Sequence, residues 1–248
     1  MSYNTFSEFY DTLTGNINYR KYANYVLELF ARHDRTPKLM LDLACGTGNF
    51  STLFARSGIE VIGVDASFDM LTVAKQKAQA MGLNILYICQ TMQKLDLYGS
   101  VDGAACLLDS LNHLKTQDEL ARAFERVAYY LEPGRLFIFD MNTLHKLKHV
   151  YADNTYVYDE ENVFCVWQND FHPKTKSVAF NIDFFKKEPD ETYSRTSEYF
   201  YEYAYSQAEV SAALSAAGLK LEAVYNDLTF SQPGLTSERV FYVARKMA

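Results

Sequence analysis

The chain has no paired cysteines: Cys45, Cys89, Cys106 and Cys165 lie far apart with no CxxC spacing, which argues against a zinc knuckle or a dithiol redox motif. Three of the four fall in apolar, strand-like runs, where a buried, reduced thiol is the expectation. The five histidines (His33, His113, His145, His149 and His172) form no HxxxH or HExxH pattern, so no metal site is expected. No apolar run approaches the ~20 residues needed to span a bilayer. The amino-terminal stretch Met1-Ser2-Tyr3-Asn4-Thr5 carries no basic segment followed by a hydrophobic one. A cytoplasmic protein with no membrane partner and no secretory signal is therefore expected. Nor is there an excess of positive charge. With 24 basic against 31 acidic residues the net charge is −7, which disfavours a broad nucleic-acid surface while leaving room for one local basic patch.

What is present is an ordinary globular balance, 48% apolar and 22% charged residues over 248 positions. That length suits one large domain or a main domain with an insertion. Glycine is uneven: seven crowd the segment from Gly46 to Gly103, and none lies between Gly134 and Gly218. Over residues 38–141 the pattern alternates. Strand-like Lys38–Ala44, Glu60–Asp65, Asn84–Cys89, Val101–Asp109 and Arg135–Met141 are separated by helical Asn49–Ser57, Ser67–Met81 and a helix opened by the capping box Thr116-Gln117-Asp118-Glu119. Such alternation predicts right-handed crossovers and a mainly parallel sheet. A second capping box, Ser206-Gln207-Ala208-Glu209, opens a further helix, and Leu219–Tyr225 and Arg239–Arg245 read as the last strands.

Residues 151–205 differ in character. They hold 8 Tyr, 6 Phe and Trp167, in short segments of period-two alternation. Val178, Phe180, Ile182 and Phe184 share one face of one segment, and Tyr199, Tyr201, Tyr203 and Tyr205 share one face of another. The segment reads as an antiparallel sheet inserted into the α/β scaffold. Its aromatics either pack the insertion's own small core or line a ligand cleft.

The strongest chemical signal is Leu41-Asp42-Leu43-Ala44-Cys45-Gly46-Thr47-Gly48-Asn49, directly after a strand and before a helix. Glycines there permit a sharp turn and close approach of a ligand to the main chain. Asp65 closes the next strand 17 residues after Gly48, where an acid can accept two hydrogen bonds from ribose hydroxyls. The competing role for Asp65 is a helix cap, which Ser67 could supply instead. A dinucleotide fingerprint wants Gly or Ala three residues after the second glycine; Ser51 stands there. The acid at Asp42 is poorly placed beside a phosphate and well placed near a ligand ammonium. The loop therefore suits a zwitterionic or cationic adenosyl ligand.

On these motifs the chain resembles the class I S-adenosylmethionine-dependent methyltransferases over about residues 36–141. Asp42–Gly48 resembles the family's first motif. Asp65-Ala66-Ser67-Phe68-Asp69-Met70-Leu71 is similar to its D-x-S-x-x-M-L, Cys89-Gln90-Thr91-Met92 to the adenine-holding segment, and Leu108–Leu114 to the segment after the fourth strand. Leu131-Glu132-Pro133-Gly134 resembles its L-x-P-G-G turn, with Arg135 in place of the last glycine. Tyr3–Leu13 resembles an amino-terminal segment that covers the cofactor, with Tyr10-Asp11 as its Tyr-Asp pair and Tyr19 where a tyrosine reaches the cofactor's methionine end.

The resemblance implies an α/β doubly wound, seven-stranded, mainly parallel sheet of the Rossmann-like methyltransferase type, with its last strand antiparallel. It implies a methyltransferase domain at 1–150 and 206–248, with 151–205 as an inserted antiparallel β lid serving the substrate. S-adenosyl-L-methionine would be held by Tyr10, Tyr19, Asp42, Ala44, Gly46, Gly48, Asp65, Ala66, Met70, Thr91, Met92 and Asp109. A small-molecule methyl acceptor would meet Asn112, Trp167 and Tyr201. Thr91 stands where relatives often carry Asp, which implies weaker adenine selectivity. His113 stands where relatives often carry Tyr, and is either the general base or a satisfied residue under the loop. The sulfonium methyl is already activated, so in-line placement about 3 Å from the nucleophile is the main requirement, and no triad is needed. The alternatives are a non-catalytic adenosylmethionine-binding regulator and, disfavoured by Ser51 and Asp42, an NAD-dependent oxidoreductase. The sequence leaves the acceptor, the methylated atom and the oligomeric state open.

Overall fold

The computed structural model describes residues 4–247; Tyr3, at the head of the amino-terminal segment, lies outside them. Two helices, α1 (Asn4–Leu13) and α2 (Tyr19–His33), precede the alternating region. That region runs β1 (Leu39–Leu43), α3 (Asn49–Arg56), β2 (Glu60–Asp65), α4 (Phe68–Ala80), β3 (Leu86–Cys89), β4 (Gly103–Cys106), α5 (Gln117–Tyr130) and β5 (Leu136–Asn142). The chain then leaves through a π-helical turn at Lys146–Tyr151 into β6 (Thr155–Glu160), β7 (Val163–His172), β8 (Ser177–Lys187) and β9 (Tyr193–Tyr203). It returns as α6 (Gln207–Ala216), β10 (Leu219–Asn226) and β11 (Arg239–Lys246).

The main sheet has the order β10-β11-β5-β4-β1-β2-β3, with β1 to β5 parallel and β11 antiparallel to both β5 and β10. This is the doubly wound seven-stranded sheet expected from the sequence. The winding reverses between β1 and β4, so the carboxyl ends of β1, β2 and β4 border a crevice where ligands of such sheets bind. Both faces are covered. Met40 points with Ile138 and Phe241 into a cluster under α2 and α3, while Leu41, Leu43, Phe137 and Phe139 point into one under α5 and α6. Alternation along a strand buried on both sides explains why β1 reads as a continuous apolar run broken only by Asp42.

Both capping motifs operate, the second as a full reciprocal box. Ser206 Oγ accepts from Glu209 N at 3.2 Å while Ser206 N donates to Glu209 Oε2 at 2.6 Å. In the first, Thr116 accepts from Glu119 N, but the Glu119 carboxylate reaches back to Lys115 N instead. One strand is shorter than its apolar pattern suggests. The run Val101–Asp109 pairs as a strand only over Gly103–Cys106, because Leu108 (φ 53°) and Asp109 (φ 55°) turn into the left-handed region. The Asp140 carboxylate pulls them there by accepting from both amides, at 2.7 and 3.2 Å. The four strands β6-β7-β8-β9 form a separate antiparallel meander, as the period-two pattern implied.

Candidate active site at the switch point

After β1 the chain turns through Ala44–Gly48 with three residues in the left-handed region, at φ 57°, 54° and 75° for Ala44, Gly46 and Gly48. Ala44 holds this costly conformation because the turn is pinned on the far side: Cys45 N donates to Val64 O at 3.0 Å and Gly46 N to Asp65 Oδ2 at 2.9 Å. The two glycines serve different ends. A side-chain carbon on Gly48 would lie 2.6 Å from the Tyr87 hydroxyl and 2.9 Å from Ala74 Cβ, so that position answers to packing beneath the loop. On Gly46 it would meet nothing within 4 Å, which leaves the main chain open to a ligand.

Asp65 spans the crevice floor. Its two oxygens accept from Gly46 N (2.9 Å) and Ser67 N (2.8 Å), and each keeps a lone pair. The cap of α4 falls to Ser67, whose Oγ accepts from Met70 N at 3.2 Å. Burial raises the Asp65 pKa, against the pull of the donated amides. Ala66 and Thr91 are exposed near the ends of β2 and β3, Met92 is half-buried, and Met70 is buried, on the core side of α4. Asp42 is also out of a ligand's direct reach. It is 1% exposed and accepts from Ser51 Oγ at 2.5 Å, and burial pushes it up to about 7. Ser51 thus stands in place of a fingerprint glycine because it satisfies this buried acid.

α1 closes one side. Asp11 Oδ1 accepts from Thr47 Oγ1 (2.7 Å) and Asn49 Nδ2 (2.8 Å), and its Oδ2 meets Lys77 Nζ at 2.7 Å. Burial alone would raise Asp11, but these donors outweigh it and hold its pKa below the ordinary value. Tyr10 and Tyr19 share a hydrogen bond, and Tyr10 feels the charge of Asp109 across the crevice. The opposite edge of α1 is apolar: Phe9 and Leu13 pack on Val163, Cys165, Ile182 and Phe184 of the inserted sheet.

The end of β4 carries a buried ionic cluster. Arg239, at the start of β11, pairs with Asp109 at 3.3 Å and, more closely, with fully buried Asp140. Asn142 Nδ2 donates to Asp109 and, at 2.8 Å, to Glu202 Oε2 of β9, while Lys146 Nζ donates to Asn142 Oδ1 at 3.0 Å. Burial pushes Asp109 up, yet Arg239 and then Lys146 hold it below the ordinary carboxylate value. Glu202 accepts from Asn142 and also feels Lys146 and Arg239, yet burial, aided by Asp109, outweighs them and pushes it up to about 8.

His113 shows an exposed edge but is crowded on its inner side, edge-on to Phe200 with ring centroids 5.3 Å apart. Desolvation pulls its pKa below the usual imidazole value, against the attraction of Asp109. Its Nδ1 lies 3.2 Å from Tyr201 O. A carbonyl only accepts, so Nδ1 carries the proton and Nε2 presents a lone pair.

Comparison with known proteins agrees with this architecture. The family described as a methyltransferase domain matches residues 40–134. A methyltransferase-family protein of Geobacillus sp. (strain WCH70) is 31% identical over 247 residues, covering 99% of this chain and 100% of its own. One of Bacillus subtilis (strain 168) is likewise 31% identical, with 99% and 98% covered. The crystal structure of an S-adenosylmethionine-dependent methyltransferase from Clostridium acetobutylicum ATCC 824 superposes with a TM-score of 0.89 at 30% identity, covering 99% of each chain. The chain belongs to the class I S-adenosylmethionine-dependent methyltransferase family.

Within this methyltransferase the residues expected at the acceptor separate. Asn112, expected to touch substrate, is fully buried and wholly engaged: its Oδ1 accepts from Asn142 N (2.9 Å), and its Nδ2 donates to Asn142 O (3.1 Å) and Tyr203 O (2.9 Å). It ties β5 to the edge of β9 and has no donor left for a ligand. Tyr201 is placed away from the inner face. It lies on the outer face of β9 with Tyr199 and Tyr203, and its hydroxyl accepts from Tyr199. The buried positions of that strand are Glu198 and Glu202, with half-buried Phe200 between them. Trp167 does face inward, T-shaped on Phe180 at 5.6 Å.

Lys77, Asp140, Lys146, Glu202 and Arg239 were not among the residues singled out from the sequence, and Asp11 was named there only as half of the Tyr-Asp pair. Arg239 carried a faint signal, as the charge directly before the apolar run Val240–Ala244. Asp140 carried another, as the lone acid within Leu136–Asn142. No helix among the described residues is long and apolar enough to cross a membrane.

Proposed function

We propose that the protein moves a methyl group from S-adenosyl-L-methionine to a small-molecule acceptor held between the switch-point crevice and the inner face of the sheet at 151–205. The observation that carries this reading is Asp65, which ties the glycine turn to the start of α4 while keeping a lone pair on each oxygen beside the open Gly46. That is the donor and acceptor pattern a ribose diol needs. When bound, the sulfonium cofactor supplies a methyl group already activated for displacement.

The chain's residues then divide the work. Asp65 accepts from the ribose hydroxyls, and Ala66, Thr91 and Met92 border the adenine. Met70 supports that wall from the core side. Ala44, Gly46 and Gly48 shape the main chain under the ligand, and Asp42 acts on its ammonium through the field of a buried carboxylate. Tyr10 and Tyr19 cover the methionine end, and Asp109 forms the opposite wall. His113, neutral and held in one tautomer by the Tyr201 carbonyl, is positioned to take a proton from an acceptor through Nε2. The inserted sheet and α1 exclude water together, since Phe9 and Leu13 pack into the sheet while Asp11 grips the glycine turn.

Thermal shift and calorimetry test this. S-adenosylhomocysteine should stabilise the protein, by ~2.7 kcal/mol at a hundredfold excess over its dissociation constant, and NADH should not. A metabolite panel should yield S-adenosylhomocysteine with at least one small acceptor. A shift with NADH alone overturns the reading, and tight cofactor binding with no turnover on any acceptor supports the regulator instead.

A further inference from the structure

We propose that the inward face of β9, Glu198-Phe200-Glu202 with Trp167 beside it, is a subsite for a protonated amine on the methyl acceptor. This rests on the methyl-transfer reading, and deepens it by naming a substrate class.

The first support is a set of unsatisfied atoms. Among the described residues, Glu198 Oε1, Trp167 Nε1 and Asn169 Oδ1 are buried with no hydrogen-bond partner. Glu198 is 6% exposed and Asn169 8%. Trp167, Ile182 and Glu198 are direct cross-strand neighbours, and Asn169, Phe180 and Phe200 form the adjacent row. All therefore project from one face of the sheet, in a strip between the apolar patch under Phe9 and Leu13 and the one around Leu147. Buried polar groups normally have partners, so these orphans point to a ligand: the two oxygens call for a donor, which an ammonium is, and the Trp167 N–H calls for an acceptor elsewhere on the same molecule.

The second support is charge. The cluster that joins β9 to the crevice holds three carboxyls, Asp109, Asp140 and Glu202, against two cations, Arg239 and Lys146. Glu202 is held protonated up to about pH 8 because burial and Asp109 oppose its ionisation. With Glu202 protonated, Asp109 and Asp140 are balanced by Arg239 and Lys146, so the carboxyl on this face that still has an unfilled acceptor for a cationic donor is Glu198. An anion would meet the open acceptor oxygens of Glu198 and Asn169, and a neutral hydroxyl would bring one proton where an ammonium brings three. The half-buried rings of Phe200 and Trp167, packed on fully buried Phe180 with centroids 5.1 and 5.6 Å from it, add the aromatic surface that attracts organic cations. His113 lies against Phe200, so an amine held here is next to the one neutral imidazole of the crevice.

The test uses the full chain saturated with S-adenosylhomocysteine, whose own binding is measured first. Calorimetric titrations follow with 2-phenylethylamine, 2-phenylethanol and phenylacetate, which share a ring and differ in charge. The amine should bind at least tenfold tighter than the alcohol, and phenylacetate should show no binding. Glu198→Gln should weaken the amine about tenfold and leave the alcohol unchanged, whereas Glu202→Gln, which replaces one neutral group with another, should leave both unchanged. If either variant fails to fold, the wild-type comparison of the three probes decides alone. Equal binding of amine and alcohol, preference for phenylacetate, or no amine binding to cofactor-loaded protein overturns the subsite. Absence of S-adenosylhomocysteine binding overturns the methyl-transfer reading instead, separately from the outcome with the amine.

Discussion

The glycine-turn half of the site and the inserted-sheet half are built on different logic. Around Ala44–Gly48 and Asp65, each residue is placed by a local event: a strand ends, a turn takes positive φ, a helix begins with its own cap. On β9 no local event places Glu198, Phe200 or Glu202. Whether they or the tyrosines beside them turn inward depends on what lies opposite, and there the amide of Asn142 meets a carboxylate. The comparison teaches that a site at strand ends is legible from spacing, whereas a site on a sheet face is legible only once that face has a partner. α1 joins the two, with Asp11 on the turn and Phe9 and Leu13 on the sheet, so removing residues 151–205 would also uncover that helix.

The largest expected effect lies where the halves meet. Arg239→Met leaves Asp109 and Asp140 buried without their cation, which should cost about 3–5 kcal/mol and be read as a large fall in denaturation midpoint. A loss under about 1 kcal/mol would mean that the cluster does not hold the two halves together.

The next sharpens the crevice side. Asp65→Ala should weaken S-adenosylhomocysteine by one to two decades, since hydrogen bonds to a charged acceptor contribute roughly 1.5–3 kcal/mol. Ser67→Ala should instead cost about 1 kcal/mol of stability, the value of a helix cap, and leave affinity alone. Calorimetry and melting on the pair separate the roles, and matching affinities for the two variants would remove Asp65 from the ribose.

A pH series probes the sheet side. Glu202 binds its proton more tightly folded than unfolded, so the folded state is relatively favoured at low pH. That advantage is lost as pH rises from its ordinary value through about 8. The slope is at most about 1.4 kcal/mol per pH unit. Glu202→Gln should flatten the stability profile between pH 6 and 8, as followed by thermal melts. An unchanged slope would place the titration elsewhere, with Asp42, raised to about 7, the group to substitute next.

The smallest effect tests the face assignment. Tyr201→Phe removes a hydroxyl on the outer face and should shift stability by less than about 0.5 kcal/mol with turnover unaltered. A marked loss of acceptor affinity in that variant would reverse the orientation of β9.

The sequence by itself determined the order of strands and helices, the glycine turn, the acid closing β2, the capping boxes and the presence of an antiparallel insertion. All of these follow from periodicity and from short-range backbone constraints that act within a few residues. It also placed Val178, Phe180, Ile182 and Phe184 on one face, and all four are buried. Only the tertiary structure decided that β4 stops short, because Asp140 captures the amides of Leu108 and Asp109 from 31 and 32 positions away. It alone decided that Ser51 answers to Asp42, that Asn112 is spent on main-chain carbonyls, and that the acidic face of β9 turns inward while its tyrosines turn out. Alternation tells which side chains share a face, but burial is a property of two surfaces. The surface that draws Glu202 inward is made by Asn142, Lys146 and Asp109, from parts of the chain that meet it only after folding.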